Sequence, residues 1–176
     1  AIYLAALGIG PGDEVIMPTL TYISTVNVVL FQGAKPILCE SNPKTYNVDV
    51  GNVQKLVTKN TKAVITVDMN GLPIDYDQWK KFSDEYKIPI IADSAESCGA
   101  IYKNNYVGSQ LFAHSFSFFP NKNLTTGEGG MIFCDDPALA ERCRSLKNLC
   151  FKPERRFFHD SIGWNYRMSN LNAAVG

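Results

Sequence analysis

Ala63-Val64-Ile65-Thr66-Val67 is apolar at nearly every position. A strand with one face in water alternates apolar and polar residues; an unbroken run fits a strand covered on both faces of a largely parallel sheet. Five further β-like runs lie around it: Glu14-Val15-Ile16-Met17, Pro36-Ile37-Leu38-Cys39, Ile88-Pro89-Ile90-Ile91-Ala92, Ser115-Phe116-Ser117-Phe118 and Gly130-Met131-Ile132-Phe133-Cys134. Pro89 is tolerable only near a strand start or at an edge, because it lacks the N–H a ladder needs. Helical spacing fills the gaps. Ile23, Val26, Asn27 and Leu30 share one face ahead of Gln32-Gly33, and Val50, Val53, Leu56 and Val57 share another. Tyr76, Trp79, Phe82 and Tyr86 form an aromatic stripe, and Leu139, Cys143, Leu146 and Cys150 recur every three or four residues. These stripes are read as core-facing. Strand–helix alternation of this kind predicts an α/β layered domain.

The chain has 176 residues, 45% of them hydrophobic, with 17 Lys+Arg against 17 Asp+Glu. That is enough apolar material for one domain-sized core. Zero net charge gives no reason to expect nucleic acid or an anionic membrane as partner. No apolar run approaches the roughly 18 residues that span a bilayer. Five cysteines stand at 39, 98, 134, 143 and 150 without a CxxC pair, so a disulfide framework or zinc site is not expected and a reducing cytoplasm fits. His114 and His159 are far apart and near no cysteine pair, which argues against a metal centre. Ala1 to Leu7 reads as the last turns of a helix that stops at Gly8 or Gly10, and a helix opens after a cap at Ser169. Both termini cut through helical patterns, so residues 1–176 are expected to be an internal piece of a larger protein.

Gly8-Ile9-Gly10-Pro11-Gly12 superficially resembles a dinucleotide loop, but it follows a helix and opens a strand, the reverse of a phosphate cradle. It is read as a helix stop and turn. Ile90-Ile91-Ala92-Asp93-Ser94-Ala95-Glu96 delivers a carboxylate at the C-terminal end of a strand, where open α/β sheets bind ligands. Asp93 is then either a helix N-cap or a fixed anion for a cationic ring nitrogen. The centre of the functional reading is Ser115 to Gly130. A hydroxyl, Ser117, leaves an aromatic strand; Lys122 follows five residues later; Thr125, Thr126 and three glycines come before the next strand. The order of a P-loop is absent. Gly163-Trp164-Asn165-Tyr166-Arg167-Met168-Ser169 sets a polar Asn between two aromatics.

With these residues in view, the sequence resembles the nucleotide-sugar aminotransferases of the DegT/StrS-type family, fold-type-I enzymes dependent on pyridoxal phosphate (PLP). The most specific blocks are Ser117 to Gly130, Asp93 to Gly99 and Gly163 to Met168. Pro153-Glu154-Arg155-Arg156, followed by Ile162 to Met168, looks most like the perosamine-forming branch. The resemblance implies a three-layer sandwich with a mostly parallel central sheet, the PLP-binding large domain, incomplete at both ends. The family's Gly-Thr phosphate-binding pair would precede Ala1, and the smaller C-terminal domain would follow Gly176. It also implies that Lys122 forms the Schiff base with PLP, that Asp93 pairs with the pyridine nitrogen and that Ser117 holds the phosphate. Tyr22 falls where the family sets an aromatic against the cofactor ring, and Glu96 where relatives carry Gln, His or Glu. Asn165 matches a residue that reaches the phosphate of the neighbouring subunit, implying a homodimer with shared active sites. Val67-Asp68-Met69-Asn70-Gly71 departs from the His-containing version common in relatives.

An unperturbed lysine, with a pKa of about 10.4, is a free amine in only roughly one molecule in 10³ at pH 7. A Schiff base keeps its nitrogen covalently engaged until substrate displaces it. The expected reaction moves an amino group from an amino acid, glutamate first, to the keto carbon of a nucleotide-linked 4-keto-6-deoxy sugar, with GDP-4-keto-6-deoxymannose the first acceptor. Three other readings stand beside it. One is a PLP-dependent sugar dehydratase, against which Lys122 argues because such relatives carry His there. The others are an inert relative that only binds or dimerises, and a fold-type-I enzyme of free amino acids.

Overall fold

Six strands form one sheet in the order β2-β1-β3-β4-β7-β8: β1 (Glu14–Pro18), β2 (Lys35–Cys39), β3 (Thr61–Val67), β4 (Ile90–Asp93), β7 (Ala113–Ser117) and β8 (Gly130–Cys134). The structure, a computed structural model, describes residues 1–176. Five strands run parallel and β8 pairs antiparallel with β7. All six runs expected from the sequence are therefore strands of one sheet, and Pro89 falls just before β4 begins.

Strand pleating sorts the side chains into two apolar clusters, one on each face. Val15 and Met17 of β1 enter the first cluster and Ile16 the second; Ala63 and Ile65 of β3 enter the first and Val64 the second. The first face is covered by α1 (Ile2–Ala6), α2 (Ser24–Phe31) and α5 (Pro137–Lys147), through Leu4, Val29, Leu139, Cys143 and Leu146. The second is covered by α3 (Val50–Gln54) and α4 (Tyr76–Tyr86), through Val53, Tyr76, Trp79 and Phe82. This is the three-layer α/β sandwich. A last helix, α6 (Asn170–Val175), is capped by Ser169, whose Oγ accepts the Asn172 N–H at 3.1 Å. Gly8 to Gly12 is a helix stop and turn, with the Gly10 N–H donated to the Asp13 carboxylate at 3.0 Å.

The structure departs from the sequence reading in several places. In α2 the stripe is misplaced: Ile23 and Leu30 are exposed, and Thr25 and Val29, one turn apart, face the sheet. Ile23 precedes the first helical turn, and Leu30 is rotated by about 100° from Val29. The apolar run of β8 is exposed at Met131, Ile132 and Phe133, because this strand is a sheet edge rather than an interior strand. A two-stranded ribbon, β5 (Ile101–Tyr102) with β6 (Asn105–Tyr106), was not foreseen; its turn places Lys103 and Asn104 at positive φ. All five cysteines are free thiols, and no helix is long and apolar enough to cross a membrane.

The topology fixes where a ligand can enter. After β1 the chain turns to the first face, through α2; after the neighbouring β3 it turns to the second face, through α4. Between two strands whose connections leave in opposite directions, a crevice opens at the strands' C-terminal ends.

Candidate active site

Asp93 is the last residue of β4, next to that crevice. Its Oδ1 accepts the Ala95 N–H at 3.1 Å, and its Oδ2 meets the Thr25 hydroxyl at 3.4 Å. No helix follows, so the N-cap alternative for Asp93 falls away. Burial pushes its carboxyl pKa up, against the opposing pull of the Ala95 N–H, the Lys122 charge and Thr25; the neighbouring Asp68 pushes it up further. Oδ2 holds only one long hydrogen bond. A carboxylate so placed has an open acceptor site and gains from a cationic partner.

Lys122 lies in the loop from β7 to β8. Phe119-Pro120-Asn121-Lys122 closes a turn, with the Lys122 N–H donated to Phe119 O at 3.0 Å. Pro and Asn at its two central positions supply the backbone angles that such a turn needs. The loop is tied at its base. Phe118 N–H donates to Gly129 O at 3.0 Å, while Phe118 O accepts the Thr126 N–H at 3.1 Å and the Thr125 hydroxyl at 2.9 Å. Gly129, at φ +131°, lies against Met168, which any side chain there would strike. From α6, the Asn172 amide donates to Thr126 O at 2.6 Å.

This rigid base brings the Lys122 ammonium to 3.7 Å from Glu96 Oε1, with the lysine side chain only 20% exposed. Glu96 Oε2 is held in turn by the Asn70 N–H at 2.7 Å. Asn70 and Gly71 both sit at positive φ, which Asn and Gly tolerate best, in the short 3-10 turn Met69–Gly71 after β3. Gly71 packs so closely that an added Cβ would stand 3.0 Å from the Glu96 carbonyl oxygen.

Lys122, Asp93 and Glu96 are thus one constellation. Ser117, the last residue of β7, has its Oγ accepting the Phe119 N–H at 3.3 Å. It shares a strand face with Ser115, which pairs in register with Asp93. Tyr22 stands in the turn before α2, 76% exposed, over the same end of the sheet. Asn165 is not brought to the group. It bridges to Asn148 beside α5, and its Oδ1 accepts the Arg167 Nε–H at 2.9 Å. A cavity of about 990 Å³ is lined by α1, β8 and α5 and reaches this constellation at Asp93, beside Thr25 and Ser115; Lys122 is not in its wall.

Sequence reasoning missed Thr25 and the Asn70 amide. Thr25 is 68 residues from the carboxylate it meets, and no local spacing reports such a contact. Asn70-Gly71 does carry a turn signal, but not its target.

The sequence profile of the DegT/DnrJ/EryC1/StrS aminotransferase family matches residues 1–176. The chain belongs to this family. It is 43% identical over 178 aligned positions to a GDP-perosamine synthase of Escherichia coli O157:H7, covering 100% of this chain and 49% of that protein. To a GDP-perosamine synthase of Caulobacter vibrioides it is also 43% identical, over 98% of this chain and 47% of that one. Among solved structures, S. venezuelae DesV in complex with a ketimine intermediate superposes with TM-score 0.93 at 37% identity, covering 99% of this chain and 47% of that chain. The chain therefore spans about half the length of the curated relatives it matches. Aminotransferases of this family depend on PLP, and the side chains here suit that cofactor. A primary amine, an under-solvated carboxylate with an open acceptor site and a hydroxyl at a strand end stand together at the mouth of a parallel sheet.

Proposed function

We propose that residues 1–176 are the PLP-binding core of a nucleotide-sugar aminotransferase. In this reading an amino group passes from an amino acid, glutamate first, to the keto carbon of a nucleotide-linked 4-keto-6-deoxy sugar. The acceptor we favour is GDP-4-keto-6-deoxymannose, giving GDP-perosamine, on the strength of 43% identity to two synthases of that name. The observation that carries the reading is Lys122, held between a tied loop and Glu96, on a sheet end that also presents Asp93.

PLP, when bound, supplies a ring that accepts the electron pair released as a substrate C–H bond breaks. The chain's residues do the rest. Lys122 Nζ would hold the cofactor and would serve as the base for the substrate's Cα proton. Asp93 keeps a proton on the ring nitrogen, since a nearby anion favours the charged form. The Ser117 hydroxyl would hold the phosphate, and Tyr22 would pack against the cofactor. Glu96 orients Lys122 through their 3.7 Å ion pair. Asn165, lying apart from the group in its own chain, serves the phosphate of a neighbouring subunit, so the working form is a homodimer. Five scattered cysteines with no CxxC pair suit a reducing, cytoplasmic setting.

The test is chemical. Borohydride reduction of the PLP-treated protein, followed by peptide mapping, should put the label on Lys122. A panel of nucleotide-linked keto sugars against free keto acids then separates a sugar aminotransferase from an enzyme of free amino acids. A folded dimer without label at Lys122 would overturn the enzymatic reading in favour of a binding partner that has lost the chemistry.

A further inference from the structure

Directly behind this constellation lies a carboxylate with no part in the reaction as drawn. Asp68, the residue after β3, is fully buried. Its Oδ1 accepts the Ile74 N–H at 3.1 Å; its Oδ2 accepts the hydroxyls of Tyr76 at 2.6 Å, Ser94 at 2.8 Å and Ser97 at 2.6 Å. No lysine or arginine pairs with it. A buried charge without a counter-ion is costly, and an apolar cluster would close the same space at less cost. Four converging donors give fixed geometry instead.

What they fix is the turn of the active site. Ser94 and Ser97 bracket Ala95-Glu96, and the Asp68 N–H donates to the Asp93 carbonyl at 3.0 Å. Two residues later in the chain, the Asn70 N–H holds Glu96. The donors are also oriented from behind. His114 Nε2 accepts the Leu111 N–H at 3.3 Å, so its proton sits on Nδ1 and is donated to Ser94 Oγ at 3.0 Å. The hydroxyl hydrogen of Ser94 is thereby left for Asp68. Burial keeps this imidazole neutral, with its pKa pushed down to about 4.

We infer that Asp68 is a positioning residue: through Ser94 and Ser97 it locks the turn that presents Asp93 and Glu96 to Lys122 and the cofactor. The inference rests on the PLP reading of that site. Its titratable neighbours are Tyr76 from α4, Asp93 from β4 and His114 from β7.

The test compares Asp68→Asn and Ser97→Ala with Thr58→Ala. The last removes a 2.6 Å hydrogen bond to Glu14 at the opposite end of the sheet. The readouts are the apparent Kd for PLP, by absorbance titration, and kcat separated from KM with the cofactor saturating. Asp68→Asn leaves one acceptor oxygen where four donors converge on two. It should weaken PLP about 10- to 100-fold, the scale on which outer supports tune a site, and lower kcat while KM changes little. Ser97→Ala keeps the charge and most of the fold, and should weaken PLP about fivefold. Thr58→Ala should lower stability and leave both readouts alone. If Asp68→Asn fails to fold, Ser97→Ala decides. Variants that bind PLP and turn over like Thr58→Ala would overturn the inference. A wild-type protein that takes up no PLP would instead overturn the function proposed above.

Discussion

Acidification should destabilise this protein through His114, and the size of the effect follows from its surroundings. The imidazole is completely buried, packed edge-on against Tyr76 and stacked near Phe116, with both ring nitrogens engaged. Desolvation lowers its pKa from 6.5 to about 4. The unfolded chain therefore takes up this proton at a pH where the native chain refuses it. Stability from the neutral imidazole is complete above pH 6.5 and is lost as pH falls toward 4. The linkage relation gives a loss of about 2 kcal/mol between pH 7 and pH 5, and about 3 kcal/mol by pH 4. Urea unfolding of cofactor-free protein at pH 7 and pH 5, for wild type and His114→Gln, isolates the effect. Asp93, whose raised carboxyl pKa works in the opposite sense, is common to both proteins and cancels. The wild type should lose about 2 kcal/mol more than the variant over that interval. Equal losses would mean that native His114 accepts a proton as easily as the unfolded chain does, and the burial argument would fail.

Replacing Asp93 by Asn should separate function from stability. Turnover should fall at least about 10²-fold, as for other groups aimed at a developing charge, while urea stability holds or rises because an under-solvated carboxylate is removed; near-normal turnover would strip Asp93 of its role. Gly71→Ala places a Cβ 3.0 Å from the Glu96 carbonyl at a backbone angle of φ +78°. It should cost about 1–3 kcal/mol and lower PLP retention through Glu96, read by the absorbance of the protein after gel filtration.

Much of this was legible because parallel strands between two helical layers leave a plain signal. β3 has no polar face to solvate, so its run is unbroken, and the carboxylate that ends β4 stands out against it. Lys122 was visible as a lone cation among glycines and threonines. What stayed hidden depends on register. Ile74, Tyr76, Ser94 and Ser97 converge on Asp68 only because β3 and β4 align Val67 with Asp93. No one of these residues is unusual in its own segment. Edge position is equally silent: the run in β8 reads like an interior strand, and only the strand order shows its exposed side.

That strand order makes the two margins of the sheet unlike. At β2 the outer strand begins with Lys35 and Pro36, a charge and a missing N–H that discourage another strand from joining. At β8 the outer strand offers Met131, Ile132 and Phe133, with neither a charge nor a proline among them. Of the two margins, β8 is the less defended against another strand.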